Sequence, residues 1–433
     1  MWVSNFLFLA YFFYSSFQDE IDDDRVNLTQ LVKNFTRSSF TPVSQVVLIC
    51  NEENTLSDYI FSDIINFFNR TACIQFQNVT KNMTSNKKYF NLIIRRANLN
   101  TIDETKNLTT IQLNKICSED DVCIRYFFGL ALGMIPQVNR QNRETYVHVI
   151  YTYVNTSDQF RYNKLSSPLF KNQNYSFDFG SFFNRNPYYC SKNKMQTYTP
   201  KNYISYYAKM LGQRIDYSFG DRRTFCNYYD NKTLSKVTCK NGGFYNPKKK
   251  DCICPDGYIG KYCSTLQQMP KCGNQTYISR KKENYIFACG KKICYFEINS
   301  KSNKSTRIDI LAVNTKNITP CVSYDALEVR YLEDKGVTGL SLCGHYNNTI
   351  SLTSFSNKVF IGYNGGNDDY FLLSYKTSEE TNEKSKKKTK KQKKEKEKSN
   401  DDINSLINIS EISNLDELNC TKLKKLEHLT NLT

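Results

Sequence analysis

The stretch that decides the fold is Tyr126–Val147, which reads YFFGLALGMIPQVNRQNRETYV. It begins with an apolar run that can form a buried helix. The run reaches Gly133, a residue that lets the chain turn sharply because it has no side chain. After Pro136 the sequence becomes polar. The pattern predicts a helix that ends in a tight turn.

A second stretch, Phe177–Asn193, reads FDFGSFFNRNPYYCSKN. It combines aromatic residues on either side of Asp178 with Ser181 and a Pro-Tyr pair. An apolar helix with a glycine, such as the first stretch, is common and arises by chance. The occurrence of both stretches in this order in one chain is not readily explained by coincidence.

The two stretches together resemble the astacin family of zinc metalloendopeptidases, which are metzincins. In the metzincin pattern H-E-x-x-H-x-x-G-x-x-H, three histidines bind zinc and the glutamate is the general base. Aligned without a gap, the histidine positions fall on Tyr126, Leu130 and Pro136. The glutamate position falls on Phe127 and the turning glycine on Gly133. The resemblance therefore implies an astacin-like domain whose zinc ligands are replaced.

The second stretch resembles the Met-turn region of the family. The methionine position is Phe183, the following histidine position is Asn184, and the position of the tyrosine that can reach zinc is Arg185. The glutamate that receives the new N-terminus of active relatives corresponds to Gln137. The resemblance implies that the catalytic and maturation residues are lost together, and it predicts neither a catalytic residue nor a metal ligand.

The histidine content supports the same hypothesis. The chain has three histidines, His148, His345 and His428, and they lie in three different predicted regions. A catalytic zinc needs three protein ligands and an open position for water. We therefore predict no cofactor, although zinc is the cofactor of the family. A rescue site built from Cys123 or Glu144 would need a geometry that the helix does not offer.

The N-terminus predicts secretion. Phe6–Tyr14 is apolar and is followed by small residues and the acidic Gln18–Asp24, a pattern typical of a signal peptide. No later apolar run approaches the ~18 residues that a membrane-spanning helix needs. We expect a secreted, extracellular protein without a transmembrane anchor.

Two further modules are indicated by cysteine patterns. Cys239–Cys263 ends in C-x-C and Gly-Tyr-x-Gly-x-x-Cys, which resembles the second half of an EGF module. Cys272–Tyr375 resembles a CUB domain, with closing strands of alternating polarity. The resemblances imply the disulfides Cys73–Cys226, Cys239–Cys252, Cys254–Cys263, Cys272–Cys294 and Cys321–Cys343. They leave open the pairing of Cys50, Cys117, Cys123, Cys190, Cys289 and Cys420, the last of which could bridge to another chain.

The predicted fold class is multidomain α+β. It comprises an astacin-like metzincin domain with a mixed sheet and long helices, a small disulfide-rich EGF-like module, an all-β CUB sandwich and a disordered lysine-rich tail. The predicted boundaries are 1–17 for the signal peptide, 18–44 for a short pro-like segment, 45–226 for the astacin-like domain, 227–264 for the EGF-like module, 272–375 for the CUB domain and 376–433 for the tail.

The tail carries much of the positive charge. Lys384–Lys398 contains ten lysines and two glutamates, a net +8 out of +17 for the chain. Such a segment cannot bury apolar area and is expected to stay extended. One hypothesis is a solvated spacer, and the other is attraction to polyanions such as sulfated glycans. The absence of aromatic residues among the lysines argues against reading a nucleic-acid sequence.

Two surface features remain hypotheses. Some CUB domains bind calcium, and Asp325 and Asn357 match two of the ligand positions only weakly. The N-x-S/T sequons predict glycosylation at the surface. The candidate asparagines are Asn27, Asn69, Asn78, Asn107, Asn231, Asn274, Asn317 and Asn347.

Two function classes follow. The first is a secreted astacin-like homologue that is catalytically inactive and binds extracellular proteins or glycans. The second is an extracellular zinc metalloendopeptidase that retains the activity of its family. The sequence does not choose a binding partner, and drift of a copy without a selected role stays open.

Overall fold

The computed structural model describes residues 46–71, 73–81, 90–105, 108–166, 176–229, 237–246, 249–300, 304–378 and 420–423. The predicted signal peptide, the pro-like segment and Lys384–Lys398 lie outside these residues. The described chain forms two compact units. The first contains the described residues up to Gln267 together with 319–322 and 334–341, and the second contains the remainder.

A five-stranded mixed sheet begins the first unit, with strand order β2-β1-β3-β5-β4. The first four strands in that order are parallel, and β4 runs antiparallel to β5. Parallel strands need crossover connections, and the first of these contains a helix. The strands are β1 (Val46–Asn51), β2 (Gln75–Asn78), β3 (Phe90–Arg96), β4 (Thr101–Thr105) and β5 (Leu108–Leu113).

Four α-helices accompany this sheet among the described residues. They are α1 (Asp58–Thr71), α2 (Asp121–Ala131), α3 (Ile204–Tyr207) and α4 (Phe219–Tyr229). In α1, Phe61, Ile64 and Phe68 recur at helical spacing and are all buried. The same core contains strand residues and most of α2. The predicted mixed sheet with helices is confirmed.

Short elements complete the first unit. The strands β6 (Val147–Val149) and β7 (Tyr198–Pro200) form an antiparallel pair. The EGF-like region consists of two small antiparallel pairs, which two disulfides hold because so few residues cannot build a large core. Its strands are β8 (Phe244–Asn246), β9 (Asp251–Ile253), β10 (Tyr258–Ile259) and β11 (Thr265–Leu266).

Two larger β-sheets follow along the chain, with strand orders β12-β14-β20-β16-β17 and β13-β21-β15-β18, and β19 also pairs with β15. The Phe371 ring of one sheet contacts the Phe296 and Tyr363 rings of the other, with centroids 5.9 Å and 5.3 Å away. The expected all-β sandwich is confirmed. Its strands are β12 (Thr276–Ser279), β13 (Asn284–Cys289), β14 (Lys292–Ser300), β15 (Thr306–Asn314), β16 (Leu327–Arg330), β17 (Leu340–Leu342), β18 (His345–Tyr346), β19 (Ile350–Thr353), β20 (Lys358–Gly365) and β21 (Tyr370–Thr377).

Disulfides account for fourteen of the cysteines. Cys321 and Cys343 are both disulfide-bonded and are the two that remain once the other pairs are assigned. Cys50 and Cys190 form no disulfide. The other pairs are Cys73–Cys226, Cys117–Cys123, Cys239–Cys252, Cys254–Cys263, Cys272–Cys294 and Cys289–Cys420.

The Cys289–Cys420 bond corrects one expectation. A bridge from Cys420 to another chain is one interpretation of the sequence, but the structure pairs it within the chain. A chain ending at Tyr375 would therefore leave Cys289 without its partner.

Among the described residues no helix has the length and apolar character to cross a membrane.

Candidate functional site

Helix α2 lies at the centre of the candidate site and is held at its start in two ways. The Asp120 carboxylate accepts a hydrogen bond from the Val122 amide at 2.9 Å, as an N-cap does. The Cys117–Cys123 disulfide joins the preceding turn to the first turn of the helix. Every residue of α2 from Cys123 onward is buried. The helix is therefore a core element on all sides.

The turn that ends α2 depends on Gly133, which has φ of 97°. Its amide donates to the carbonyl of Leu130 at 2.9 Å, and the Met134 amide donates to the carbonyl of Gly129 at 3.0 Å. Glycine adopts this left-handed conformation without strain. Three residues after Met134 the Gln137 amide donates to the carbonyl of Phe183 at 3.2 Å. The chain after α2 is thus bonded to the second motif.

Aromatic rings fill the space between α2 and the second motif. The rings of Tyr126 and Phe183 are stacked, with centroids 5.9 Å apart and planes inclined by 26°. Phe127 meets Tyr126 edge-on at 5.8 Å, and Tyr217 contacts Phe183 at 5.2 Å. Leu130 belongs to the same core cluster. The two motifs found in the sequence are brought together as a packed apolar core.

Both the Phe183 ring and the Tyr217 hydroxyl lie close to Gly129. A Cβ atom at this position would lie 2.6 Å from Cε1 of Phe183 and 2.8 Å from the Tyr217 hydroxyl oxygen. Because van der Waals contacts between carbon atoms lie near 3.5–4 Å, no larger residue fits without displacing a ring. The Tyr217 hydroxyl also donates to the carbonyl of Arg125 at 2.6 Å. Phe183 and Tyr217 therefore lie directly against the backbone of α2.

The residues predicted to stand at the family's zinc positions do not carry the donor groups that zinc usually binds. Zinc in proteins takes imidazole nitrogen, thiolate sulfur or carboxylate oxygen. This site presents the phenol of Tyr126, the aliphatic side chain of Leu130 and the ring of Pro136, all buried. Phe127 supplies no carboxylate for a general base. In the described parts of the chain, no three His, Cys, Asp or Glu side chains lie together as a metal site would require.

Arg214 brings a positive charge close to the Tyr126 ring, since its guanidinium carbon lies 5.1 Å from the ring centroid. Its Nη1 donates to the carbonyls of Phe182 at 2.5 Å and Asn184 at 2.6 Å. These bonds fix the backbone on both sides of Phe183. A buried arginine is stabilised when its donors meet carbonyl oxygens. Arg214 thus positions the Phe183 ring.

Two buried carboxylates support the same segment. Ser181 Oγ donates to Asp221 at 2.6 Å and the Phe182 amide donates to it at 2.8 Å. Ser218 Oγ donates to Asp178 at 2.8 Å and accepts from the Asp221 amide at 3.0 Å. Burial, together with the charge of Asp178, raises the pKa of Asp221 to about 7. Burial also raises the pKa of Asp178.

The remaining positions of the family pattern have local roles. The Gln137 side chain is buried and accepts a hydrogen bond from Arg140 Nη1 at 3.0 Å. The Arg185 guanidinium lies over the Tyr189 ring, 3.9 Å from its centroid. Asn184 donates to the carbonyls of Asp178 and Phe179, both at 2.8 Å. Each of these side chains is used in packing the domain.

The described histidines and the calcium-ligand candidates are not members of the apolar core around α2. His148 is in β6 and His345 is in β18, both exposed, whereas His428 is outside the described residues. Asp325 pairs with Lys316 at 3.6 Å. Asn357 accepts through its carbonyl from the Ser300 amide at 2.7 Å. Neither contact brings further acidic ligands to Asp325.

The sequons fall into three groups. Four are exposed, Asn69 is half-buried, and Asn27, Asn107 and Asn231 lie outside the described residues. The side-chain oxygen of Asn69 accepts from the Phe76 amide at 2.9 Å, so that asparagine already has a structural role. The exposed four are Asn78, Asn274, Asn317 and Asn347.

Sequence reasoning misses three contributors to this core. The sequence pattern places Gly129 in an apolar helix and singles out neither Tyr217 nor Arg214. A glycine inside a helical pattern costs about 1 kcal/mol relative to alanine, so its presence there can indicate a packing role. That signal could have identified Gly129, but not the ring that packs on it.

A family model matches the part of the chain that contains this site. Residues 41–230 match the model described as astacin, a peptidase family. The zinc metalloproteinase dpy-31 of Caenorhabditis elegans is 31% identical over 156 residues, which cover 35% of this chain and 26% of the relative. This chain therefore spans about a quarter of that relative's length.

Solved structures are similar to parts of the chain. One is high choriolytic enzyme 1, a hatching enzyme zinc-protease from the fish Oryzias latipes. It has 18% identity and a TM-score of 0.34, covering 43% of this chain and 89% of that one. Another is the CUB1-EGF-CUB2 region of human MASP-1/3, with 15% identity and a TM-score of 0.21, covering 33% and 55%.

We predict that Gly129→Ala destabilises the first unit. Alanine improves helix propensity by about 1 kcal/mol. The methyl group would nevertheless meet Phe183 at 2.6 Å, and overpacking of a dense core costs about 1–3 kcal/mol. Chemical denaturation should show a lower unfolding midpoint. Gly366→Ala is the matched control because a Cβ there has ordinary contacts at 3.4 Å. Equal midpoints for the two variants would contradict the close packing at α2.

We also predict an unusual pH dependence of stability. A carboxyl whose pKa is raised on folding binds its proton more tightly in the folded state. Its contribution is complete below the unfolded pKa of about 4 and is lost as the pH rises through the folded pKa of Asp221, about 7. Melting temperatures should fall between these pH values, and Asp221→Asn should flatten the fall. The exposed Asp63→Asn is the control. An unchanged slope in Asp221→Asn would contradict the assignment.

Proposed function

We propose that this chain, whose residues 41–230 match the astacin peptidase family model, is a secreted astacin-like protein without peptidase activity that acts by binding extracellular partners. The single observation that carries the proposal is the stacking of Tyr126 on Phe183. Where the family pattern places a metal ligand and the Met-turn, two rings fill the space.

The energetics of this core support the proposal. Burying apolar side chains contributes about 25 cal/mol per Å² of apolar surface. Tyr126, Phe127, Leu130 and Phe183 are each 0% exposed, so they stabilise the helix without metal bonds. A zinc ion placed there would have to displace rings from a close-packed interior.

The maturation position supports the same proposal. In active relatives a glutamate receives the new N-terminal ammonium, which is an ion pair. Gln137 is neutral here and accepts a hydrogen bond from Arg140 instead. The amide of Gln137 cannot supply the negative charge that an ammonium group needs.

The competing candidate is an active zinc metalloendopeptidase. It is favoured by similar proteins of Caenorhabditis elegans that are named zinc metalloproteinases. Their activity belongs to chains that this one matches over less than two thirds of their length. The side chains at the site favour the inactive candidate.

We predict that the purified full-length chain, dialysed against chelator and then supplied with zinc, retains no stoichiometric zinc and does not cleave peptides. The physical reason is the absence of nitrogen, sulfur or carboxylate donors at the metal positions. Atomic absorption measures the metal and a fluorogenic peptide library measures cleavage. Tightly bound zinc together with chelator-sensitive cleavage would overturn the proposal.

Restoring the family residues in the same assay should not recover robust catalysis. The variant combines Tyr126→His, Phe127→Glu, Leu130→His and Pro136→His. The Phe183 ring would still occupy the site, and Arg214 would place a positive charge beside position 126. Circular dichroism must show a folded variant, and an active astacin-family peptidase is the reference. Zinc binding with cleavage at a comparable rate would show that the surrounding residues are no barrier.

The accessory modules support a binding role outside the cell. The chain contains CUB-like and EGF-like regions whose cysteines are disulfide-bonded, as is typical of extracellular proteins. We propose that extracellular proteins bind through these modules. The predicted signal peptide supports secretion, and the exposed sequons support a glycoprotein.

The lysine-rich segment suggests a second class of partner. With a net charge of +8 over fifteen residues, Lys384–Lys398 attracts polyanions through many weak, salt-screened contacts. We propose sulfated glycans as that partner. Sequence-specific nucleic acid is disfavoured because base stacking needs aromatic side chains.

We predict that replacing the ten lysines of Lys384–Lys398 by serine in the full-length chain lowers the salt at which it elutes from heparin. A shuffled segment of the same composition is the matched control. It should elute with the parent chain because the attraction depends on charge rather than order. Substitution is preferable to truncation because truncation would also remove the partner of Cys289. Equal elution of the serine variant and the parent would identify the segment as a spacer.

A further inference from the structure

One face of the sheet β13-β21-β15 is apolar although it is not the face that forms the sandwich core. Side chains alternate along a strand. In β13, Ile286 and Ala288 pair with Leu373 and Phe371. Phe287 and Cys289 point to the opposite, outer face.

The outer face continues across the neighbouring strands. Phe287 pairs with Leu372 and Cys289 pairs with Tyr370 across β13 and β21. Ala312 of β15 pairs with Leu372 from the other side. An antiparallel sheet with one face on the core normally presents polar side chains on the other. A row of aromatic and aliphatic groups there requires a cover.

The cover comes from the C-terminal end of the same chain. Residues 420–423 form a helical turn, and Leu423 is 0% exposed. Leu423 belongs to one apolar cluster with Cys289, Ala312, Tyr370 and Leu372, and Cys420 packs against that cluster. Residues three apart lie on the same side of a helix. Cys420 and Leu423 therefore approach the sheet together.

A covalent bond fixes the same contact. Cys289 lies at the end of β13 on the outer face, and its disulfide partner is Cys420. The neighbouring Thr421 and Lys422 are exposed, so only one side of the turn contacts the sheet. The apolar contact and the disulfide both identify residues 420–423 as the segment that covers the outer face.

We infer that the outer face of β13-β21-β15 is a docking site for the chain's own C-terminal segment around Cys420–Leu423, fastened by Cys289–Cys420. The inference goes beyond the proposed function and does not depend on peptidase inactivity. Residues 379–419, which include Lys384–Lys398, are joined to the sandwich at both ends, through β21 and through Cys420.

The Cys289–Cys420 disulfide would keep the C-terminal segment attached after proteolysis of the intervening chain. Enzymes that cut after lysine have many sites within Lys384–Lys398. Cleavage there leaves the C-terminal fragment attached through Cys289, and reduction then releases it. Release removes Leu423 and uncovers the apolar face, which is the kind of surface that binds another chain.

Disulfide mapping tests the connection. The full-length protein is alkylated without reduction, freed of N-glycans and digested with trypsin. Mass spectrometry should find the peptide 283–291 joined to the peptide 399–422, and the pair should separate on reduction. An alkylated Cys289 or Cys420, or another partner for either, would overturn the inference.

Non-reducing gel electrophoresis decides which chain supplies the segment. The expected result is a monomer. A disulfide-linked dimer that disappears in Cys420→Ser would assign the docked segment to a second copy and overturn the proposal of self-docking.

Paired variants test the apolar contact separately from the disulfide. Leu423→Asp should increase the fluorescence of a hydrophobic dye bound to the full-length protein, because the charge cannot remain against the apolar face. Thr421→Asp is the control, since Thr421 is exposed. The milder Leu423→Ala should give a smaller increase with an unchanged circular dichroism spectrum. Equal dye binding by all three variants and the parent would mean that the disulfide exists without docking, and it would overturn the inference.

Discussion

The contact between the ring of Phe183 and the bare backbone of Gly129 constrains the rest of the first unit. With a prospective Cβ only 2.6 Å from Cε1 of that ring, the second motif can approach α2 more closely than any side chain on the helix would permit. The stacking of Tyr126, the bond from Gln137 to the Phe183 carbonyl and the position of Tyr217 all require this approach. The aromatic core therefore depends on the absence of a side chain at Gly129.

Buried charges hold the backbone around that ring. Arg214 binds the carbonyls on both sides of Phe183, and Asp221 binds the Phe182 amide. In a dry interior such bonds are strong, but an unmatched charge is costly. Backbone carbonyls bind Arg214, whereas a backbone amide and the Ser181 hydroxyl bind Asp221. Burial raises the pKa of Asp221. The segment is fixed by polar bonds to its backbone and by rings packed against its side chains.

In the second unit, apolar surface is buried in two ways. Its sandwich core is closed by rings from both sheets, whereas the outer face of β13-β21-β15 is covered by Leu423 and tied by Cys289–Cys420. A disulfide that closes a long segment limits the unfolded chain most strongly. The covalent tie thus stabilises a contact that a single helical turn could not maintain alone.

The sequence by itself predicted the fold class, with an astacin-like region that contains a mixed sheet and helices, followed by an all-β sandwich. Motif order and cysteine spacing are local, so they can be read without coordinates, and three histidines spread over the chain preclude the family's ligand set. Tertiary structure alone decided what occupies the space between the motifs. Gly129 lies far in sequence from Arg214 and Tyr217, and it meets Tyr217 through packing that local patterns do not encode. The pairing of Cys289 with Cys420 was likewise decided by the fold, because a bond across 131 residues depends on which surfaces the folded chain brings together.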